Sequence, residues 1–416
     1  MLIYAHDLLK LFQLKFWQRR ILYLWGKTMT TGRGKNLTYL RSSNLGSIIK
    51  NILINDSASR LYLSEKLNLT KMSITYLTNE LLEKKILFEN KNTGNNGFTK
   101  NPAGRKTKLL TINPDSLYAI GIYIARDFLY FSISNIVGQI IDNEKIKLNE
   151  KTTKSYLFEI MEEQVQKLLD THKNKNILGL GVASIGLVDI KKGALMSSTD
   201  FYGISDFNIK ELLENRFNLP VFVVEDMKAA CLAESFYGAA RHFSDFIYLG
   251  ITRGIGSGII INDKLFEGTQ GFSGEFGHTT LYSKGKKCDC GNTGCMELYL
   301  SVPVILKKSG LDTWEQFVLL CENDVTNKYL TQFIRDLGTA LVNIINIFGP
   351  QAIIIGHEGA LMNRYFFEKL QIYVDECAIT RKYTKVVVLP SMLNNMPYIS
   401  TSAVVFSYLF QGVLQI

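Results

Sequence analysis

The sequence has few of the features that mark a secreted or membrane protein. Six cysteines in 416 residues do not make a disulfide framework. No apolar run reaches the roughly 20 residues that a membrane-spanning helix needs. Residues 1–28 are apolar, but lysines and arginines interrupt them and they lack a small-residue cleavage site, which argues against a signal peptide. These absences favour a cytoplasmic protein with no membrane partner.

The charge is unevenly distributed along the chain. Residues 1–117 hold 19 Lys and Arg against 7 Asp and Glu, a net charge of +12, whereas residues 118–416 hold 28 against 31, a net charge of −3. A basic segment attached to a nearly neutral body predicts an anionic partner for that segment, with nucleic acid the first candidate.

The N-terminal third of the sequence contains three short helical patterns and a candidate β-hairpin. Apolar residues recur at three- and four-residue spacing through residues 44–85, and Thr70 is a suitable N-cap for the third helix. Two strand-like runs then flank a segment rich in Gly, Asn and Lys. This order predicts a winged helix-turn-helix DNA-binding domain over residues 38–113. Residues 1–37 are interpreted as an N-terminal extension. Because Met29 is a second candidate start, residues 1–28 are either an additional arm or an upstream extension of the reading frame.

From residue 114 to residue 416, strand and helix patterns alternate, which predicts an α/β body with partly parallel sheets. The apolar runs YAIGIYI, FLYFSIS and PVFVVED have the composition of strands. Residues 154–170, 330–348 and 400–411 have the periodicity of helices.

A cysteine-rich stretch provides the strongest chemical signal. Three cysteines and one histidine lie within residues 278–295: His278, Cys288, Cys290 and Cys295. One nitrogen and three sulfur ligands suit a closed tetrahedral Zn²⁺ site, and four protein ligands leave no open position for catalysis. The stretch therefore predicts a structural zinc ion.

The same stretch resembles the signature of the ROK family (repressors, open reading frames and sugar kinases). G-x-x-G-E-x-G-H is followed by C-x-C-G-x-x-G-C-x-E in residues 271–301. The basic segment is similar to the winged helix-turn-helix of the family's xylose-operon repressors. The resemblance implies a two-lobed, actin-like (ribonuclease H-like) domain of the sugar-kinase type, with lobe one at about 114–247 plus the C-terminal helix and lobe two at about 248–397.

The resemblance also implies a sugar site. Its sugar-binding residues would be Asp200, Glu225, Asp226, Glu275, His278 and Glu297. Asp226 lies at the position where the family's kinases carry the carboxylate that takes the hydroxyl proton. Glu225 and Lys228 replace asparagines that are usual in the family, so a sugar pocket is expected but its specificity is not readable.

The loop that binds nucleotide phosphate in the family's kinases is altered here. Tyr123 replaces the Asp of D-x-G-G-T, Ala125 and Arg126 replace both glycines, and Asp127 replaces the hydroxyl residue. Backbone N–H groups can approach phosphate closely only where side chains are absent. We therefore predict that kinase activity is lost and that the protein is not an enzyme.

The third helix of the basic segment is expected to enter the major groove of DNA. The predicted DNA-binding residues, on that helix and on the wing, are Lys71, Ser73, Thr75, Tyr76, Arg105 and Lys106. The prediction is a sugar-responsive repressor of a carbohydrate operon, with xylose the candidate sugar, acting as a homodimer or higher homo-oligomer on operator DNA. Two alternatives remain open at this point: an ATP-dependent sugar kinase, and a DNA-binding dimer that has lost its ligand.

Overall fold

The computed structural model describes residues 37–91, 108–197 and 201–416. The predicted site residues Asp200, Arg105 and Lys106 lie outside these ranges. No helix within the described ranges has both the length and the hydropathy that crossing a bilayer requires.

The basic segment folds into three helices and a small antiparallel sheet. The helices are α1 (Leu37–Ile54), α2 (Arg60–Leu67) and α3 (Lys71–Glu83), and the strands are β1 (Ala58–Ser59), β2 (Leu87–Lys91) and β3 (Lys108–Ile112), in the order β1-β3-β2. Thr70 caps α3 as its spacing predicted, because its hydroxyl accepts a hydrogen bond from the Ser73 N–H at 3.1 Å. Ile74, Leu77 and Leu81 are buried on the inner face of α3. We call residues 37–112 the head.

Two five-stranded sheets with the same topology form the rest of the molecule. Read from matching edges, the strand order is β10-β7-β4-β5-β6 in the first sheet and β15-β14-β11-β12-β13 in the second. In each sheet three consecutive strands are antiparallel, and two later strands join in parallel on the other side. The strands of the first sheet are β4 (Tyr118–Ile124), β5 (Phe128–Asn135), β6 (Ile140–Lys147), β7 (Ile177–Ser184) and β10 (Val221–Glu225). Those of the second are β11 (Phe246–Ile251), β12 (Ile255–Ile261), β13 (Lys264–Leu265), β14 (Ala352–His357) and β15 (Val387–Pro390), and the pair β8 (Leu187–Asp189) and β9 (Ala194–Ser197) forms a separate hairpin.

Helices cover both sheets. They are α4 (Lys154–Thr171), α5 (Ile209–Phe217), α6 (Asp226–Tyr237), α7 (Glu297–Leu300), α8 (Val302–Ser309), α9 (Trp314–Asn323), α10 (Lys328–Phe348), α11 (Arg364–Cys377) and α12 (Met396–Phe410). The C-terminal helix α12 returns to the first sheet and packs on β4 and β7. A Cβ atom at Gly181 would lie 1.9 Å from the Thr401 carbonyl oxygen, so this close approach requires glycine.

The head packs against the half of the body that contains the first sheet, which we call the first half; the half that contains the second sheet is the second half. α1 packs against α12 so closely that a Cβ atom at Gly46 would lie 2.4 Å from the Leu409 carbonyl oxygen. Arg241 follows α6 and donates hydrogen bonds to the last carbonyl groups of α1, at 3.0 Å to Leu53 and 2.7 Å to Ile54. An orphan helix end is thereby satisfied by a side chain of the body.

Candidate functional site

A cleft of about 740 Å³ lies between the two sheets and collects most of the predicted sugar-binding residues. Five of the six predicted residues, from three separate stretches of the sequence, line it together: Glu225, Asp226, Glu275, His278 and Glu297. Glu225 ends β10 and Asp226 begins α6, so both lie at the carboxyl edge of the first sheet. The other three come from the second half, on either side of the cysteine-rich loop. The carboxylates can accept several hydrogen bonds from a polyhydroxylated ligand.

Asp226 is held by two donors at the bottom of the cleft. The Met227 N–H donates to Oδ1 at 2.8 Å, and the Tyr123 hydroxyl donates to Oδ2 at 3.2 Å. Burial raises the pKa of Asp226 to about 6, although both hydrogen bonds oppose this shift. Burial also raises the pKa of the Tyr123 phenol, which therefore stays protonated and able to donate. Tyr123 and Asp226, which the resemblance compares with two acidic residues of the family's kinases, are therefore in direct contact.

Glu225 and Lys228 form an ion pair in the interior. Lys228 is fully buried and Glu225 is 7% exposed. Lys228 also donates to the Gly271 carbonyl oxygen at 2.7 Å. Burial raises the pKa of Glu225 above its usual range, and the ammonium group of Lys228 opposes the shift. The two residues where the resemblance led us to expect asparagines therefore form one ion pair, between the residue that precedes α6 and a residue in its first turn.

The four predicted metal ligands converge beside the cleft. The ligand atoms of His278, Cys288, Cys290 and Cys295 all lie within 4.8 Å of one another. The Cys290 and Cys295 Sγ atoms are 3.7 Å apart, and Cys288 Sγ lies 3.8 Å from His278 Nδ1. A tetrahedral zinc ion with Zn–S bonds of about 2.3 Å separates its sulfur ligands by about 3.8 Å. The cluster therefore fits a metal ion of that size and geometry.

Glu297 connects the metal cluster to the cleft. Its Oε1 lies 3.2 Å from His278 Nδ1 and accepts a hydrogen bond from Cys288 Sγ at 3.2 Å. α7 begins at Glu297, two residues after Cys295. An ion that fixes the loop would consequently also fix a carboxylate of the cleft.

The turn after β4 and the turn after β11 face each other across the mouth of the cleft. Arg126 and Arg253 both line the cleft, one from each half. Arg253 lies 3.9 Å from the Asp127 carboxylate, and both side chains are more than half exposed. An exposed ion pair at this distance contributes little to stability.

The predicted DNA-binding residues of α3 divide into two groups. Lys71, Thr75 and Tyr76 are exposed, with Tyr76 64% exposed. Ser73 is half-buried and its hydroxyl lies 2.9 Å from the Thr70 hydroxyl, so it belongs to the helix cap. Met72, which lies between Lys71 and Ser73, is 83% exposed.

Comparisons with known proteins agree with this architecture. A crystal structure of a ROK family transcriptional regulator, a homologue of the E. coli Mlc protein, superposes with a TM-score of 0.71 at 20% identity and covers 90% of this chain and 98% of that chain. A ROK hexokinase from Thermus thermophilus superposes with a TM-score of 0.61 at 20% identity and covers 69% of this chain and 97% of that chain. The fold is therefore the two-lobed, actin-like sugar-kinase type, preceded by a helical head.

The family follows from the sequence comparisons. The family model of the ROK family matches residues 119–405. The xylose repressor of Caldicellulosiruptor bescii is 31% identical to this chain over 370 residues, which cover 82% of this chain and 89% of that protein. The chain belongs to the ROK family.

Proposed function

We propose that this protein is a sugar-responsive transcriptional repressor that has no kinase activity. Residues 38–113 would bind operator DNA, and residues 114–416 would bind the sugar in the cleft. The relatives support this reading, since the match to the repressor from Caldicellulosiruptor bescii covers 82% of this chain and therefore extends beyond residues 114–416 into the N-terminal part. Because that relative is a xylose repressor, D-xylose is the first candidate effector.

The observation that carries the proposal is the connection between cleft and head. α6 begins at Asp226 in the cleft, and Arg241, just beyond its end, donates to the last carbonyl groups of α1 in the head. A second contact joins Lys50 of α1 to the Asp263 carboxylate at 3.0 Å. A sugar that favours one arrangement of the two lobes can therefore shift the head, to the extent that its affinities for the two arrangements differ.

The DNA contacts in this proposal come from α3 and the wing. Lys71, Thr75 and Tyr76 would face the major groove, and Arg105 and Lys106 would follow the backbone or the minor groove. Two heads in a homodimer would read a palindromic operator with half-sites about one helical turn apart.

The contacts of Tyr123 argue against the alternative that the protein is a sugar kinase. Its phenol fills the position of the kinase Asp and hydrogen-bonds Asp226, which would otherwise receive the proton of the attacking hydroxyl. The side chains of Ala125 and Arg126 replace the two glycines whose N–H groups would approach phosphate.

In this proposal a structural zinc ion binds His278, Cys288, Cys290 and Cys295. It would supply rigidity to the loop that carries Glu275 and Glu297 and would take no part in a reaction. The second nitrogen of His278 would face the sugar.

The test is fluorescence anisotropy of the full chain on DNA upstream of its own and adjacent operons, at fixed salt, with and without D-xylose and other sugars. Tight binding released by one sugar supports the proposal and names the effector. Glu297→Gln should bind DNA normally but resist release, whereas Glu163→Gln, an exposed change on α4, should behave like the wild type. Binding that no sugar changes contradicts the sugar response, and ATP turnover with a sugar contradicts the loss of kinase activity.

A further inference from the structure

The ion pair at the bottom of the cleft connects two parts of the site. Lys228 lies on α6, within the first half of the body, and its ammonium group contacts both the Glu225 carboxylate and the Gly271 carbonyl oxygen. Gly271 opens the segment that leads to Glu275 and His278. Lys228 therefore contacts residues from both halves of the body at the bottom of the cleft.

The segment that Lys228 contacts is also held by its neighbours. The Ile190 N–H donates to the Gln270 carbonyl oxygen at 3.3 Å, and the Ser257 hydroxyl donates to the Gly274 carbonyl oxygen. Gly271 has a φ of 102°, which favours glycine. The Lys228 hydrogen bond is therefore one of three contacts that hold the segment leading to Glu275.

Glu225 uses only one of its two carboxylate oxygens. Oε2 accepts from Lys228, whereas Oε1 is buried and has no hydrogen-bond partner among the described residues. Glu225 lines the cleft, so this unpaired acceptor belongs to a residue of the cleft wall. Buried acceptors in native proteins are nearly always satisfied by protein, water or ligand. The usual asparagine would offer a donor and an acceptor here, but an ionised carboxylate offers acceptors alone.

We propose that Lys228 is a positioning residue of the effector site. Its ion pair orients Glu225 so that the free carboxylate oxygen accepts a hydrogen bond from one hydroxyl of the sugar. Its hydrogen bond to the Gly271 carbonyl group fixes the Gly271–Glu275 segment opposite Glu225. This inference rests on the proposed function and deepens it. The effector must carry a free hydroxyl, a hydrogen-bond donor, at the position that faces Glu225. A substituent there that can only accept, such as fluorine or a methyl ether, is rejected.

The experiment compares sugar analogues on matched variants of the full, zinc-loaded chain. D-xylose, D-glucose, D-mannose and N-acetyl-D-glucosamine are first screened by thermal shift. Calorimetry then measures the affinity of the binding sugar and of its monodeoxyfluoro analogues for the wild type, Glu225→Gln, Lys228→Met and the double variant. Glu163→Gln serves as the control.

The expected result is specific to one hydroxyl. In the wild type, fluorine at that position lowers the affinity about tenfold to a hundredfold, the range for an unsatisfied buried polar group. In Glu225→Gln the penalty shrinks at this position alone, because the amide can donate to fluorine. Lys228→Met removes the same penalty, and the double variant loses no more affinity than Lys228→Met, since the two residues act as one unit.

Other results overturn the inference. If Lys228 were merely structural, Lys228→Met would weaken the parent sugar and all its analogues by one common factor. Equal fluorine penalties in the wild type and Glu225→Gln would remove the role of Glu225. If no sugar binds the wild type, the proposed function fails as well, whereas a sugar that binds without this coupling leaves the proposed function intact. Should Lys228→Met fail to fold because Glu225 is left charged and unpaired, the double variant, which has no unpaired charge, carries the same test.

Discussion

The buried carboxylate of Asp226 should make the protein less stable as the pH rises, and Asp226→Asn should remove that dependence. The native pKa is about 6, against an ordinary value of 3.8. Between these values the native state binds more protons than the unfolded state, so stability is highest at low pH and falls as the pH rises. The carboxylate of Glu275 strengthens the shift, and the charge of Lys228 opposes it.

The magnitude follows from the pKa difference. A difference of about two pKa units corresponds to a cost of about 3 kcal/mol at about pH 8, where the carboxylate is ionised in both states. At about pH 5 the cost is about 1.5 kcal/mol, because the native carboxyl group is then largely protonated. Asp226→Asn should therefore stabilise the protein by about 1.5 kcal/mol more at the higher pH than at the lower one.

Urea denaturation of the zinc-loaded, sugar-free protein at both pH values measures this difference. Asp170→Asn provides a matched control, since Asp170 is exposed on α4 and its replacement should have the same small effect at both pH values. An Asp226→Asn effect that is independent of pH, or larger at the lower pH, would refute the assignment of Asp226 as a buried, charged acceptor.

Four further outcomes are expected. Tyr123→Phe removes a donor to Asp226, so the pH dependence of stability should move to higher pH in the same denaturation assay, and an unchanged profile would contradict the contact. Arg241→Ala should retain operator binding but reduce the change in anisotropy that a sugar causes, because the cap on α1 is lost; full release would exclude this route. Cys295→Ser should lower both the zinc content, measured by mass spectrometry, and the melting temperature. Cys377→Ser, at an exposed cysteine, should change neither. Lys71→Ala should weaken binding to all DNA sequences and reduce the slope of log affinity against log salt by about 0.9 if it contacts a phosphate.

Short-range patterns allowed much of the fold to be predicted. The apolar spacing of Ile74, Leu77 and Leu81 and the cap at Thr70 predicted α3, and the structure buries and caps these residues as expected. The C-terminal helix was predicted from residue 400 but begins at Met396, since Pro397 fits the first turn of a helix, where its missing N–H costs nothing. The metal cluster was also readable, because its ligands lie within 18 consecutive residues and two glycines let the loop turn back.

Other parts of the site depend on residues that only the folded chain brings together. Tyr123 and Asp226 are 103 positions apart, yet one hydrogen bond joins them because β4 and the end of β10 belong to the same sheet. The sequence alone identifies Tyr123 only as the residue that replaces an Asp of the phosphate loop. Likewise the sequence shows Lys228 only as a lysine at a position where the family usually has asparagine. The fold brings it into an ion pair with Glu225 and a hydrogen bond with the Gly271 carbonyl oxygen.

The sequence by itself therefore determined the helices of the head, most strands of the body, the four residues of the His/Cys cluster and the family. These depend on periodicity and spacing within a few turns or loops, which propensity and side-chain chemistry decide locally. The tertiary structure decided which carboxylates share the cleft, which charges neutralise one another and how Arg241 joins the cleft to the head. Those contacts depend on strand order and on packing between distant segments, and burial then sets the pKa of each group that the fold encloses.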